Sequence, residues 1–194
     1  MKQTYLSPLG NKDSTIAIVG DQPGVYEIKS GKIFSSYTGK ALNECLIMAK
    51  IPRFNLYLTN VIKDLDEPLS NYINLNSSGH YTISKNGYTY IQELGEELKA
   101  LPNLNVIIAL GNVPLIALTN RVGITKWRGS VLESTLVNKT KVIPTFHPAT
   151  FIPPKFNYLN KPLIVSDLLL AKNESIFHYV TLFEISYKFE IVKL

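Results

Sequence analysis

The chain has 194 residues, 45% of them apolar, with 20 Lys and Arg against 15 Asp and Glu and a formal net charge of +5. That length suits one α/β domain with a substantial core, and the basic bias (pI near 9.1) is compatible with a polyanionic partner without requiring one. No apolar run approaches the roughly 18 residues of a membrane span, which argues against a membrane protein.

Residues 1–15 are polar and turn-rich and lack the basic-then-apolar order of a signal peptide, so the cytoplasm is the expected compartment. Ile16-Ala17-Ile18-Val19 is short, apolar and β-branched, as a buried parallel strand should be. It ends at Gly20-Asp21-Gln22-Pro23-Gly24, where two glycines and a proline turn the chain off the sheet. A long polar connection follows, carrying Glu27 and Phe34, before a helix is predicted from about Gly39 to Lys50. Cys45, the single cysteine, falls on the apolar face of that helix and reads as a buried, inert thiol. One cysteine excludes an internal disulfide framework and a four-cysteine metal site or cluster.

Asn55–Thr59 reads as the second strand, stopping at Asn60. Residues 64–87 hold many turn formers and no sustained period, and read as an insertion or flap. Tyr88–Leu101 supports a helix, Asn105–Leu110 a third strand, and Val113–Thr119 a short helix with Pro114 in its first turn. Lys126–Ser130 reads as a loop, Thr140–Phe146 as the fourth strand, and Asp167–Glu174 as a closing helix. His178–Lys193 alternates polar and apolar residues in strand fashion. The expected organisation is one domain over 1–175 and a C-terminal tail of uncertain role over 176–194. The expected fold is a three-layer α/β/α sandwich around a four-stranded parallel sheet.

In such sheets ligands bind at the carboxyl ends of the strands. Asp21, Asn60, Asn112 and His147 each fall within two residues of a predicted strand end, so one sheet edge gathers an acid, two amides and an imidazole. Nucleotide-binding signatures fail: Thr38-Gly39-Lys40-Ala41 lacks both the earlier glycine and the hydroxyl of a phosphate-binding loop, and GxGxxG is absent. His80, His147 and His178 have no metal-ligand spacing. No cofactor or metal is expected.

The order of these segments resembles the uracil-DNA glycosylase superfamily, family four above all, and the related glycosylase-like domains at the N-terminus of some phage DNA polymerases. There a strand leads into GE-x-PG, an acid, G-x-PF and a helix. Here the corresponding residues are Gly20-Asp21-Gln22-Pro23-Gly24, Glu27 and Gly31-Lys32-Ile33-Phe34. The TN-x-x-K signature is matched by Thr59-Asn60-Val61-Ile62-Lys63. Leu110-Gly111, Arg128-Gly129 and His147-Pro148-Ala149 match the later elements. Asp21 stands where family four has Glu, and the four cluster-binding cysteines of family four are absent.

The resemblance implies a DNA repair enzyme that flips uracil from the stack and hydrolyses its N-glycosidic bond. Phe34 would stack on the base, Asn60 would read its edge, and Glu27 would crowd out the methyl group of thymine. His147 would hydrogen-bond the developing uracil anion, and Asp21 would position water and stabilise the sugar cation. Gly20, Gln22, Pro23 and Gly24 would shape the floor of the base site. Ser35, Ser36, the Gly111-Asn112 turn and Arg128 would hold phosphates, and Phe151 with Ile152 would wedge into the gap left by the flipped base. The alternative is a catalytically silent relative that binds DNA as part of a phage polymerase or replication complex.

Overall fold

The register of one parallel sheet decides where every candidate side chain ends up. The computed structural model describes residues 5–176. Four parallel strands, β2 (Ile16–Gly20), β3 (Tyr57–Asn60), β6 (Val106–Leu110) and β8 (Lys141–Thr145), lie side by side in the order β3-β2-β6-β8. Gly20 pairs with Asn60, Val19 with Ala109 and Leu110 with Thr145, so all four strands end at one level.

The helices are α1 (Val25–Ser30), α2 (Tyr37–Met48), α3 (Leu69–Tyr72), α4 (Lys85–Lys99), α5 (Asn112–Thr119), α6 (Ile124–Trp127) and α7 (Asn160–Glu174). Alternation along β2 serves both faces of the sheet. Ile16 and Ile18 pack with Leu42 and Leu46 of α2 and Leu168 of α7, while Ala17 and Val19 pack with Leu94 and Leu98 of α4 and Ile116 of α5. Strands buried on both faces read as unbroken apolar runs, which is why these four were legible in the sequence.

The three-layer α/β/α architecture is as expected, but the sheet has six strands rather than four. Two-residue antiparallel strands, β1 (Leu9–Gly10) beside β3 and β7 (Leu132–Glu133) beside β8, close its edges. Such short pieces carry no periodicity and are held only by their neighbours' backbone groups.

Two connections also differ from expectation. The segment after β2 is not a continuous loop. Its Val25–Ser30 stretch forms α1, started by the Glu27 carboxylate accepting from Gly24 N at 2.9 Å and ended at Gly31 in the left-handed region. Residues 64–87 hold α3 and a hairpin of β4 (Ile73–Leu75) and β5 (Tyr81–Ile83) instead of an irregular flap. Buried Asp64 anchors this region by accepting from the hydroxyls of Tyr72 (2.9 Å) and Tyr90. Helix α7 starts at Asn160, seven residues before the predicted closing helix. The strand-like alternation of His178–Lys193 lies outside the described residues. No described helix is long and apolar enough to cross a membrane.

Candidate active site

Gly20 sits at the end of β2 opposite Asn60, and close packing leaves no room there for a side chain. A methyl group on Gly20 would lie 2.8 Å from Phe34 Cζ and closer still to Asn60 Oδ1. The two side chains therefore face the same space above Gly20. Asn60 is 3% exposed and Phe34 6%. The side-chain amide of Asn60 makes no hydrogen bond among the described residues, and its atoms are not among the fully buried ones left without a partner, which are Asp21 Oδ1 and Glu97 Oε1. An amide with a donor and an acceptor beside an aromatic ring suits a planar, hydrogen-bonding ligand.

Both groups are held from behind by residues the sequence did not single out for that task. Phe34 has φ of 49°, a conformation uncommon for an aromatic residue and typical of functional sites. The Arg53 guanidinium fixes it, donating to the carbonyls of Ile33 (3.0 Å) and Phe34 (3.2 Å) and to Asn43 Oδ1 (2.6 Å). Lys63, fully buried, donates to the Asn60 carbonyl at 2.7 Å and to Thr59 Oγ1, and pairs with Glu97 at 2.8 Å. Burial lowers the Lys63 pKa, and the Glu97 carboxylate opposes that shift. The motif TN-x-x-K thus has a local cause: the lysine three residues on closes over the strand end that carries the amide.

Asp21 and His147 meet across Gly111. A methyl group there would contact His147 Cβ at 3.4 Å and Asp21 Oδ1 at 3.7 Å, and Gly111 has φ of 96°, so this turn needs glycine. Asp21 Oδ1 is buried with no hydrogen-bond partner among the described residues. Burial pushes the Asp21 carboxyl up to about 7, with Lys155 pulling the other way. His147 Nδ1 accepts from Ala149 N at 3.3 Å, which leaves the proton of the neutral ring on Nε2. Burial, reinforced by Lys155, lowers the His147 pKa to about 4, so the ring is neutral at physiological pH. Asp21 and His147 thus come from the ends of β2 and β8, with the Gly111 turn at the end of β6 between them.

Other predicted residues have different surroundings. Gln22 donates to the Glu67 carbonyl at 2.9 Å, tying its loop to the segment after β3, and Pro23 is buried. The Glu27 carboxylate is committed to Gly24 N and the Ser36 hydroxyl, so its visible task is holding the loop together. Ser35 donates to the Lys32 carbonyl, and Asn112 Oδ1 accepts from Ile124 N at the start of α6.

Two candidates for DNA contact have intramolecular partners. Arg128 grips buried Asp167 through Nε (3.1 Å) and a second nitrogen and also donates to the Leu163 carbonyl, so its fork is committed to α7. Phe151 is 4% exposed, packed in the core with one side lining a groove shared with Tyr37 and Lys40. The exposed aromatics of that loop are Phe156 and Tyr158, further along.

The described residues hold no group of three or more His, Cys, Asp or Glu able to bind a metal. Cys45 is buried in the core, and burial raises its thiol to about 11. One such cysteine does not fit the four-thiolate cluster of family four.

A three-layer α/β fold with its polar site at the strand ends, built from a Gly-Asp-x-Pro-Gly turn, an Asn and a His, defines a class. The family model for the uracil DNA glycosylase superfamily matches residues 7–168, and the chain belongs to that superfamily. Among curated relatives, a type-4 uracil-DNA glycosylase of Thermotoga maritima is 31% identical over 170 residues, spanning 84% of this chain and 79% of its own. A second, from Archaeoglobus fulgidus, is 29% identical over 157 residues, spanning 78% and 73%. A DNA polymerase of Bacillus phage SP01 is 28% identical over 173 residues, which are 84% of this chain but 17% of the polymerase.

Proposed function

We propose that this chain is a monofunctional uracil-DNA glycosylase that takes uracil out of the DNA stack and hydrolyses its N-glycosidic bond, leaving an abasic site. The observation that carries this reading is the Asn60 amide and the Phe34 ring closing on one space above Gly20, on a residue only 3% exposed. An amide donates to the O4 carbonyl of uracil and accepts from its N3–H. Cytosine offers the reverse pattern and would leave buried groups unpaired, which is a strong basis for rejection. Phe34 supplies a stacking face worth about 1–3 kcal/mol.

As the C1′–N1 bond breaks, its electron pair leaves with uracil and positive charge spreads over the sugar. Neutral His147 donates from Nε2 to the O2 of the departing anion, as a preorganised oxyanion partner. The Asp21 carboxylate stabilises the cation and orients the water that adds to C1′, accepting its proton. Glu27 stands by the loop that faces C5 of the base. Substrate DNA, a catalytic unit over 1–175 with a distinct tail, and work in the cytoplasm complete this reading.

The test is direct. Incubation with an oligonucleotide carrying one uracil, followed by alkali, gives strand breaks at that position. No product at high enzyme excess overturns the reading. The polymerase match favours one second reading, a DNA-binding front end associated with a phage polymerase, and binding without excision would move the assignment there.

A further inference from the structure

Beside the base site run two adjoining grooves that share Tyr37 and Lys40. The first is lined by Tyr26, Ser35, Ser36, Tyr37 and Lys40. The second continues between Tyr37 and Lys40 on one side and Phe151, Ile152 and Pro153 on the other. Their ends fall next to the site: Ser35 follows Phe34, and Phe151 lies four residues after His147. Tyr37 is 80% exposed and Tyr26 62%, which is far more than a core or packing role would leave. Lys40 Nζ stands 5.3 Å from the Tyr37 ring centroid, a cation beside a stacking face. Glu44 also lines the second groove, but it is paired with Lys161 at 2.7 Å.

We infer that this double groove is a track for single-stranded DNA, in which Tyr37 and Tyr26 stack the bases flanking the flipped uracil and Lys40 holds a phosphate. Exposed aromatic rings beside a cation bind unpaired strands, because only unstacked bases offer their faces. A duplex offers none. The inference deepens the glycosylase reading by naming its preferred substrate as single-stranded. It rests on that reading only for which nucleotide enters the site.

The test uses the full chain and a fluorescein-labelled oligothymidylate of about twelve nucleotides, without uracil, alone and annealed to its complement, read by fluorescence anisotropy over a salt series. The single strand is expected to bind at least tenfold tighter than the duplex. Tyr37→Ala should weaken single-strand binding by roughly tenfold or more, and Tyr37→Phe should restore it. Lys40→Gln should reduce the salt slope by about 0.7, the value of one lost phosphate contact on a single strand. Equal binding of both forms, or single-strand binding untouched by Tyr37→Ala, overturns the track. Tight duplex binding abolished by Phe156→Ala also overturns it, by giving Phe156 the wedge role. Because the probe lacks uracil, the outcomes separate. A protein that binds single strands but never excises keeps the track and loses the glycosylase reading, and excision without groove dependence does the reverse.

Discussion

Gly20→Ala places one methyl group where the account puts the base. The new carbon would sit 2.8 Å from Phe34 Cζ and nearer to Asn60 Oδ1, against a comfortable separation of about 3.5 Å or more. Ring and amide must each retreat by something approaching 1 Å. Gly20 lies in a β-strand, so alanine adds no backbone penalty of its own and the effect is steric. Overpacking of this kind costs about 1–3 kcal/mol of stability. A misplacement near 1 Å costs on the order of 10²-fold in rate. Denaturant unfolding and kcat/KM on a uracil oligonucleotide measure the two effects separately. The expected variant is folded, moderately destabilised and about a hundredfold less active. A folded variant with wild-type kcat/KM would refute the placement of the base above Gly20.

The Asp21 pKa of about 7 makes activity rise with pH through that value, while His147, neutral above about 4, adds no limb between pH 5 and 9. A pH–rate profile flat across 6–8 would contradict this. The same shift acts on stability: the folded state holds the Asp21 proton more tightly than the unfolded state, whose pKa is near 3.8, so stability falls as pH rises from about 4 to 7. Asp21→Asn should therefore stabilise at pH 8 by up to roughly 4 kcal/mol and not at all below pH 4, as read by denaturation at both pH values. Arg128→Ala strands buried Asp167 and should cost about 3–5 kcal/mol, with Arg128→Lys a poor rescue; unchanged stability with lost DNA affinity would return Arg128 to phosphate binding. Arg53→Met releases the carbonyls of Ile33 and Phe34 and should lower kcat/KM at least tenfold, for a stability loss of about 1.5–3 kcal/mol; full activity would show that Phe34 needs no such support.

What was legible in the sequence follows from what makes its own signal. The four parallel strands are buried on both faces, so Ile16–Val19 and Val106–Leu110 stand out as apolar runs, and the polar residues that end them mark one sheet edge. The edge strands Leu9–Gly10 and Leu132–Glu133 carry no such signal because their pairing comes wholly from β3 and β8. Helix α1 was missed for a similar reason: six residues hold no period, and Glu27, whose contact to Gly24 N starts it, was read only as a residue facing the base. The surroundings of Arg128 and Phe151 were not legible, because a short motif gives position along the chain but not direction. Asp167, thirty-nine residues from Arg128, holds its guanidinium, and Phe151 packs in the core cluster that includes Leu168 of α7. Arg53 and Lys63 became visible as supports only once the fold brought them behind Phe34 and Asn60.

The central claim is that the amide of Asn60 reads uracil in a site where Asp21 and His147 complete the cleavage. Single-turnover release of uracil from a single-stranded oligonucleotide, by the wild-type chain and by Asn60→Ala side by side, tests it most directly. The wild type is expected to release uracil, and a folded Asn60→Ala to do so at least 10²-fold more slowly, since an unread base is held without its hydrogen-bonding partner. No release by the wild type, or equal rates for the two proteins, would contradict it.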